Sequence, residues 1–147
     1  SIYFKENQYG YHITTSNNID SISKVGLIPS IGERSLSINE KNKAIFFCRF
    51  LIELDNWIND LYPDNNLNEL ELLRFSLLGK EAFYKDFFIG DYYLMNPILP
   101  DELEILNRVS PNGKKFNIDN LILRQYQEGL KWEPIIKNNK LERKKQK

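Results

Sequence analysis

Side chains alternate between residues 9 and 14, with Tyr9, Tyr11 and Ile13 on one side and Gly10, His12 and Thr14 on the other. That period of two predicts a strand. Thr15, Ser16, Asn17 and Asn18 follow, short polar residues suited to a helix N-cap, and Ile19, Ile22 and Val25 then fall on one helical stripe. Gly26 occupies the expected C′ position, and Pro29, which lacks an N–H, keeps the helix from resuming. Residues 29–43 are mostly polar, with scattered Leu36 and Ile38, which predicts a loop long enough to be functional rather than connective. Residues 44–48, Ala-Ile-Phe-Phe-Cys, form a short apolar run of the kind found in a strand buried on both faces, so Phe46 and Phe47 must point in opposite directions.

The second half continues the mixture. Phe50, Leu51, Leu54, Trp57, Ile58 and Leu61 keep helical spacing, and Tyr62-Pro63-Asp64-Asn65-Asn66 ends that helix in a turn. Leu73, Phe75 and Leu77 alternate with Leu72, Arg74 and Ser76, which predicts a strand closed by Gly79. The aromatic-rich stretch 87–94 contains Gly90-Asp91, and a strand is expected from Asp91 toward Pro97, with Pro100 just beyond. Residues 103–109 read as another short strand, Ser110-Pro111-Asn112-Gly113 as a turn, and residues 116–126 fit either a strand or a helix. The fold class is therefore α/β in the broad sense, more narrowly α+β.

Composition narrows the picture. A length of 147 residues with 41% hydrophobic and 13% aromatic content suits one domain with its own core, expected over residues 1–136. Residues 137–147 carry six basic residues against Glu142 alone and read as a flexible basic tail, or as an arm for a nucleic acid or another partner. The 20 basic and 20 acidic residues cancel, so nucleic-acid contact would need a local patch rather than an overall field. One cysteine, Cys48, excludes an internal disulfide framework, and with one histidine, His12, it leaves too few soft ligands for zinc. Residues 1–10 lack the basic flank and apolar run of a secretory signal, and no stretch approaches the roughly 20 apolar residues of a membrane span. A cytoplasmic protein in a reducing compartment, with no structural metal and no membrane partner, is the expectation.

Tyr11-His12-Ile13-Thr14, a short helix, Val25-Gly26-Leu27-Ile28-Pro29 and then Ala44-Ile45-Phe46-Phe47 follow one another in the order found at the opening of diphtheria-toxin-like ADP-ribosyltransferases. Related nucleic-acid-modifying toxins and tRNA 2′-phosphotransferases share that order. The resemblance covers about the first 50 residues, with a weaker echo over residues 92–103, where the superfamily often has a strand ending in a proline-rich step. It implies a split sandwich of two small sheets with flanking helices and NAD as a substrate. It also implies that His12 meets the adenosine-side ribose while nearby backbone groups hold the nicotinamide amide. Phe46 or Phe47, or Tyr62 further along, would stack on the nicotinamide ring. Arg34, in Ile31-Gly32-Glu33-Arg34-Ser35, would take the pyrophosphate, with Ser35 beside it in the cofactor-binding loop.

These residues also make chemical sense individually. An imidazole and a hydroxyl two positions apart on one strand face, as at His12 and Thr14, can hydrogen-bond a ribose or a carboxamide. The planar fork of Arg34 matches phosphate oxygens. Breaking the nicotinamide–ribose bond passes through an oxocarbenium-like transition state, which calls for a carboxylate to stabilise charge and align the acceptor. The family uses a glutamate at the start of a late strand. This chain has Asp91 there, about 1.5 Å shorter in reach, and Glu81, Glu102 and Glu104 are the remaining candidates. Asp91 and His12 are thus the expected catalytic pair. The leading expectation is mono-ADP-ribosylation of a macromolecular acceptor, DNA, RNA or protein, in a bacterial or phage toxin or defence setting, where an antitoxin is a conceivable partner. The alternatives are an RNA 2′-phosphotransferase, for which only Arg34 and Arg49 offer nearby positive charge, and a non-enzymatic NAD- or nucleotide-binding module.

Overall fold

The computed structural model describes residues 1–30, 43–61, 69–84 and 92–136. Among these residues, eight strands and three α-helices follow in the order β1 (Ile2–Tyr3), β2 (Tyr9–Thr15), α1 (Ile19–Val25), β3 (Ile45–Phe47), α2 (Leu54–Leu61), β4 (Leu70–Ser76), β5 (Glu81–Tyr84), β6 (Tyr92–Leu94), β7 (Leu103–Asn107), α3 (Leu121–Gln127) and β8 (Lys131–Pro134). The strands make two four-stranded antiparallel sheets, ordered β1-β5-β6-β3 and β2-β4-β7-β8. The expected α+β class is what the chain adopts.

Strand β4 explains how the sheets are arranged. Its side chains alternate between two cores, Leu73 and Phe75 going to one and Leu70 and Leu72 to the other. The first core joins the two sheets: Ile45, Phe47, Ala82 and Leu94 from one meet Leu73, Phe75 and Leu103 from the other, with Ile22 of α1 and Leu27 at its edge. The second lies on the opposite face of β2-β4-β7-β8, where Ile13, Leu70, Leu72 and Leu106 pack on Leu51, Leu54, Ile58, Ile118 and Leu121. Each such side chain contributes about 1.5–3 kcal/mol on burial. Because β4 is covered on both faces, its apolar residues are nearly continuous, as in other doubly buried strands.

Local signals hold for β2, α1, β3 and β4, with adjustments. The stripe expected through Val25 runs instead through Ile19, Ile22, Ser23 and Gly26, and Val25 is 54% exposed. Gly26 ends the helix with a φ of 81°, where side chains are rarely tolerated, and a Cβ there would sit 2.0 Å from the Ile98 carbonyl oxygen. The close approach lets Leu27 and Ile98 exchange two backbone hydrogen bonds of 2.9 Å. Gly26→Ala should destabilise the fold by about 1–3 kcal/mol from backbone conformation alone, with the clash added; urea unfolding measures it. The helix expected from Phe50 begins at Leu54, after an extended Phe50 and a 3₁₀ turn over Leu51–Glu53. Residues 116–126, which fit either type, hold a 3₁₀ turn at Ile118–Asn120 and then α3. Strands β1, β5 and β8 carry two to four residues each, too few to show a period, and had no counterpart in the sequence reading. Among the described residues no helix is long and apolar enough to cross a membrane.

Candidate functional site

Strand β2 pairs with β4 along its whole length, from Tyr9↔Ser76 to Thr15↔Leu70. On its other side, Tyr11 and Cys48, the residue after β3, exchange backbone hydrogen bonds of 2.8 and 3.0 Å. His12 stands next to that bridge, against β3. Its Nδ1 lies 2.7 Å from the Phe46 carbonyl oxygen. A carbonyl only accepts, so Nδ1 carries the proton and, in the neutral ring, Nε2 is left as an acceptor. Only part of the ring is exposed, and the packing around it pushes the imidazole pKa down despite the opposing pull of the Phe46 carbonyl. The site therefore offers a neutral imidazole with a fixed tautomer.

Gly10 supports this face of β2. A Cβ at Gly10 would lie 2.7–2.9 Å from the rings of Phe75 and Phe47, so glycine is what lets those rings pack beneath the strand. They meet edge to face with centroids 5.7 Å apart, and Phe47 also stacks on Tyr92 at 5.7 Å. Phe47 is wholly buried and belongs to the core. Phe46 points to the opposite face, half-buried, with its ring 5.8 Å from Tyr93, which stacks in turn on Phe83 at 5.3 Å. Of the pair, Phe46 is thus the ring outside the core.

Thr14 is buried, and its Oγ1 accepts a 3.1 Å hydrogen bond from the Asn18 side chain. Its visible work is to tie the end of β2 to the start of α1. The bridge Ser30↔Ala44 pairs residues on either side of the segment that carries Arg34 and Ser35. Arg34, Ser35, Tyr62 and Asp91 themselves fall outside the described residues. The three fallback carboxylates all have partners. Glu81 accepts from the Tyr3 hydroxyl, Glu104 pairs with Arg74 at 2.9 Å, and Glu102 accepts from the Leu99 N–H and from Lys80 at 2.6 Å. Partial burial works to raise the Glu102 pKa, but the Lys80 and Leu99 contacts outweigh it and hold the carboxyl below its ordinary value. None of the three projects unpaired toward His12.

Two features escaped the sequence reading. Arg108, 3% exposed, grips Glu71, 8% exposed, through two hydrogen bonds of 2.8 and 3.2 Å, and also donates to the Phe116 carbonyl at 3.0 Å. Ser16 adds a 3.2 Å bond to the same carboxylate. Arg49, directly after the Cys48 bridge, has its guanidinium over the rings of Phe4, Phe50 and Tyr92 at 4.9, 5.3 and 5.6 Å. Charged residues isolated in sequence give no warning of either partnership. The two motif halves, in contrast, do come together, since Leu27 of Gly26-Leu27-Ile28-Pro29 is the residue that pairs with Ile98 between Pro97 and Pro100. Compared with known proteins, the chain matches no family model, no curated protein and no solved structure.

Proposed function

We propose that the chain is an NAD-dependent ADP-ribosyltransferase of the split-sandwich type and that the β2–β3 junction at His12 is its nicotinamide side. The observation that carries the reading is the His12–Phe46 contact: the histidine of the His-x-Thr strand is held, neutral, onto the backbone of the aromatic strand beside the Tyr11–Cys48 bridge between the two small sheets. A neutral Nε2 is an acceptor suited to a ribose hydroxyl. Phe46, outside the core, is the ring of the Phe46-Phe47 pair suited to stack on nicotinamide. Strand β6 starts at Tyr92, so Asp91 precedes a strand whose first residue pairs with Phe47. In the proposed reaction Asp91 holds the ribose 2′-hydroxyl and stabilises positive charge as the nicotinamide bond breaks, and a macromolecular acceptor takes the ADP-ribosyl group. The acceptor is nucleic acid or protein, as in a toxin or defence factor.

The test is nicotinamide release from NAD by the purified chain, alone and with DNA, RNA or protein, beside Asp91→Ala and His12→Ala. Release that depends on acceptor and falls at least a hundredfold in Asp91→Ala is expected, on the order of the loss seen for misplaced catalytic groups. Full activity in both variants would sink the assignment. NAD that raises the melting temperature without any release would instead mark a binding module.

A further inference from the structure

Half-buried cations in proteins normally face an anion, because removing a charge from water is costly without one. Arg49 has none. Among the described residues its only hydrogen bond runs from Nη2 to the neutral side-chain amide of Gln8, and its buried Nε–H meets no acceptor. Three aromatic rings supply what electrostatic compensation there is. Those rings are not a closed box. Phe50 is 57% exposed, and Tyr84, which packs edge-on against Tyr92 at 5.3 Å, is 43% exposed. One ring over the arginine, Phe50, and the Tyr84 ring that packs on another, Tyr92, thus face solvent. Arg49 directly follows the Tyr11–Cys48 bridge, on the opposite side from the His12–Phe46 contact.

We propose that Arg49 is a phosphate anchor and that the exposed rings of Phe50 and Tyr84 are its base- or sugar-stacking flanks. A planar fork holds phosphoryl oxygens in paired hydrogen bonds, and rings interleaved with an arginine are the usual surface for a nucleotide or a single strand. A carboxylate ligand would use the fork equally well but would leave the rings without a purpose. Two sources carry the phosphoryl group, the pyrophosphate of NAD and the backbone of a nucleic-acid acceptor. The NAD arm rests on the transferase reading above; the backbone arm does not.

Titration calorimetry with pyrophosphate, NAD, nicotinamide riboside and a single-stranded 12-mer of DNA or RNA tests this in the full chain, beside Arg49→Gln and Arg49→Lys. Arg49→Lys keeps the charge and loses the fork, so it remains informative if Arg49→Gln folds poorly. The expected result is a loss of roughly tenfold or more in affinity for a phosphate-bearing probe in Arg49→Gln, partly restored in Arg49→Lys, with nicotinamide riboside unaffected. Loss confined to NAD and pyrophosphate assigns the cofactor. Loss confined to the 12-mer, with a salt slope reduced by about 0.7–0.9 per contact removed, assigns the backbone, and it would do so even if NAD did not bind at all. Phosphate probes bound equally by wild type and both variants, or bound by none of the three, would overturn the proposal and leave Arg49 as a packing residue.

Discussion

Among the described arginines, Arg108 and Arg49 are treated in opposite ways. Arg108 is met by Glu71 through a two-point contact, by the Phe116 carbonyl and, through Glu71, by Ser16. Arg49 is met by rings and one neutral amide. The first arrangement braces the end of β7 against β4 and against the turn that leads into α1. The second leaves a buried Nε–H without an acceptor among the described residues. A buried charge that the fold itself neutralises is architecture, whereas one left to neutral neighbours is poised for something that arrives later.

The contrast can be broken at several levels. Arg108→Met should cost the most, about 3–5 kcal/mol by urea unfolding, because it strands a buried carboxylate. Removing the pair together, Arg108→Met with Glu71→Leu, should recover most of that loss, since a well-packed apolar replacement of a buried pair is often neutral. If the double variant is as unstable as the single, the network is more than a charge pair. Arg49→Met should cost about 1 kcal/mol or less, the scale of partly exposed cation–π contacts. A cost matching that of Arg108→Met would erase the distinction between the two.

The smallest effect expected is one of pH. Folding lowers the His12 pKa below its ordinary 6.5, so between the two values the unfolded chain binds more protons than the folded one. Stability is then unaffected by His12 at higher pH and declines as pH falls through about 6.5 toward the folded-state value. His12→Gln should flatten that part of the stability profile. A slope that survives in His12→Gln belongs to other groups and would show that His12 is not held neutral.

How far the sequence foretold this structure depended on the distance over which each signal acts. Strand β2, helix α1 with its Gly26 stop, strand β3 and strand β4 were legible because period and capping are local. The close approach of Gly26 to the Ile98 carbonyl was not, because it joins the chain to a neighbour far along it. Within the candidate site, His12 and the opposed directions of Phe46 and Phe47 could be read directly. That Phe47 is the core member and Phe46 the outward one required the partner strand β6 and the space above Phe75. Thr14 looked like a ligand group by its place beside His12, yet its hydroxyl is engaged by Asn18. The roles of Arg49 and Arg108 rest entirely on tertiary partners, which no spacing rule encodes.

The ladders also fix when the molecule can be assembled. Strand β1 pairs with β5, β2 with β4 and β3 with β6, so every strand among the first 48 residues finds its main partner at residue 70 or later. The Gly26-Leu27 corner waits longer still, for Ile98. Closing loops of this length delays folding rather than forbidding it. A chain emerging from the ribosome would therefore hold His12 in an unpaired segment until β4 had been made, and Phe46 until β6 had. The segment that carries His12 and Phe46 is thus unable to complete its ladders by itself, and their meeting comes into being only with the strands that follow them.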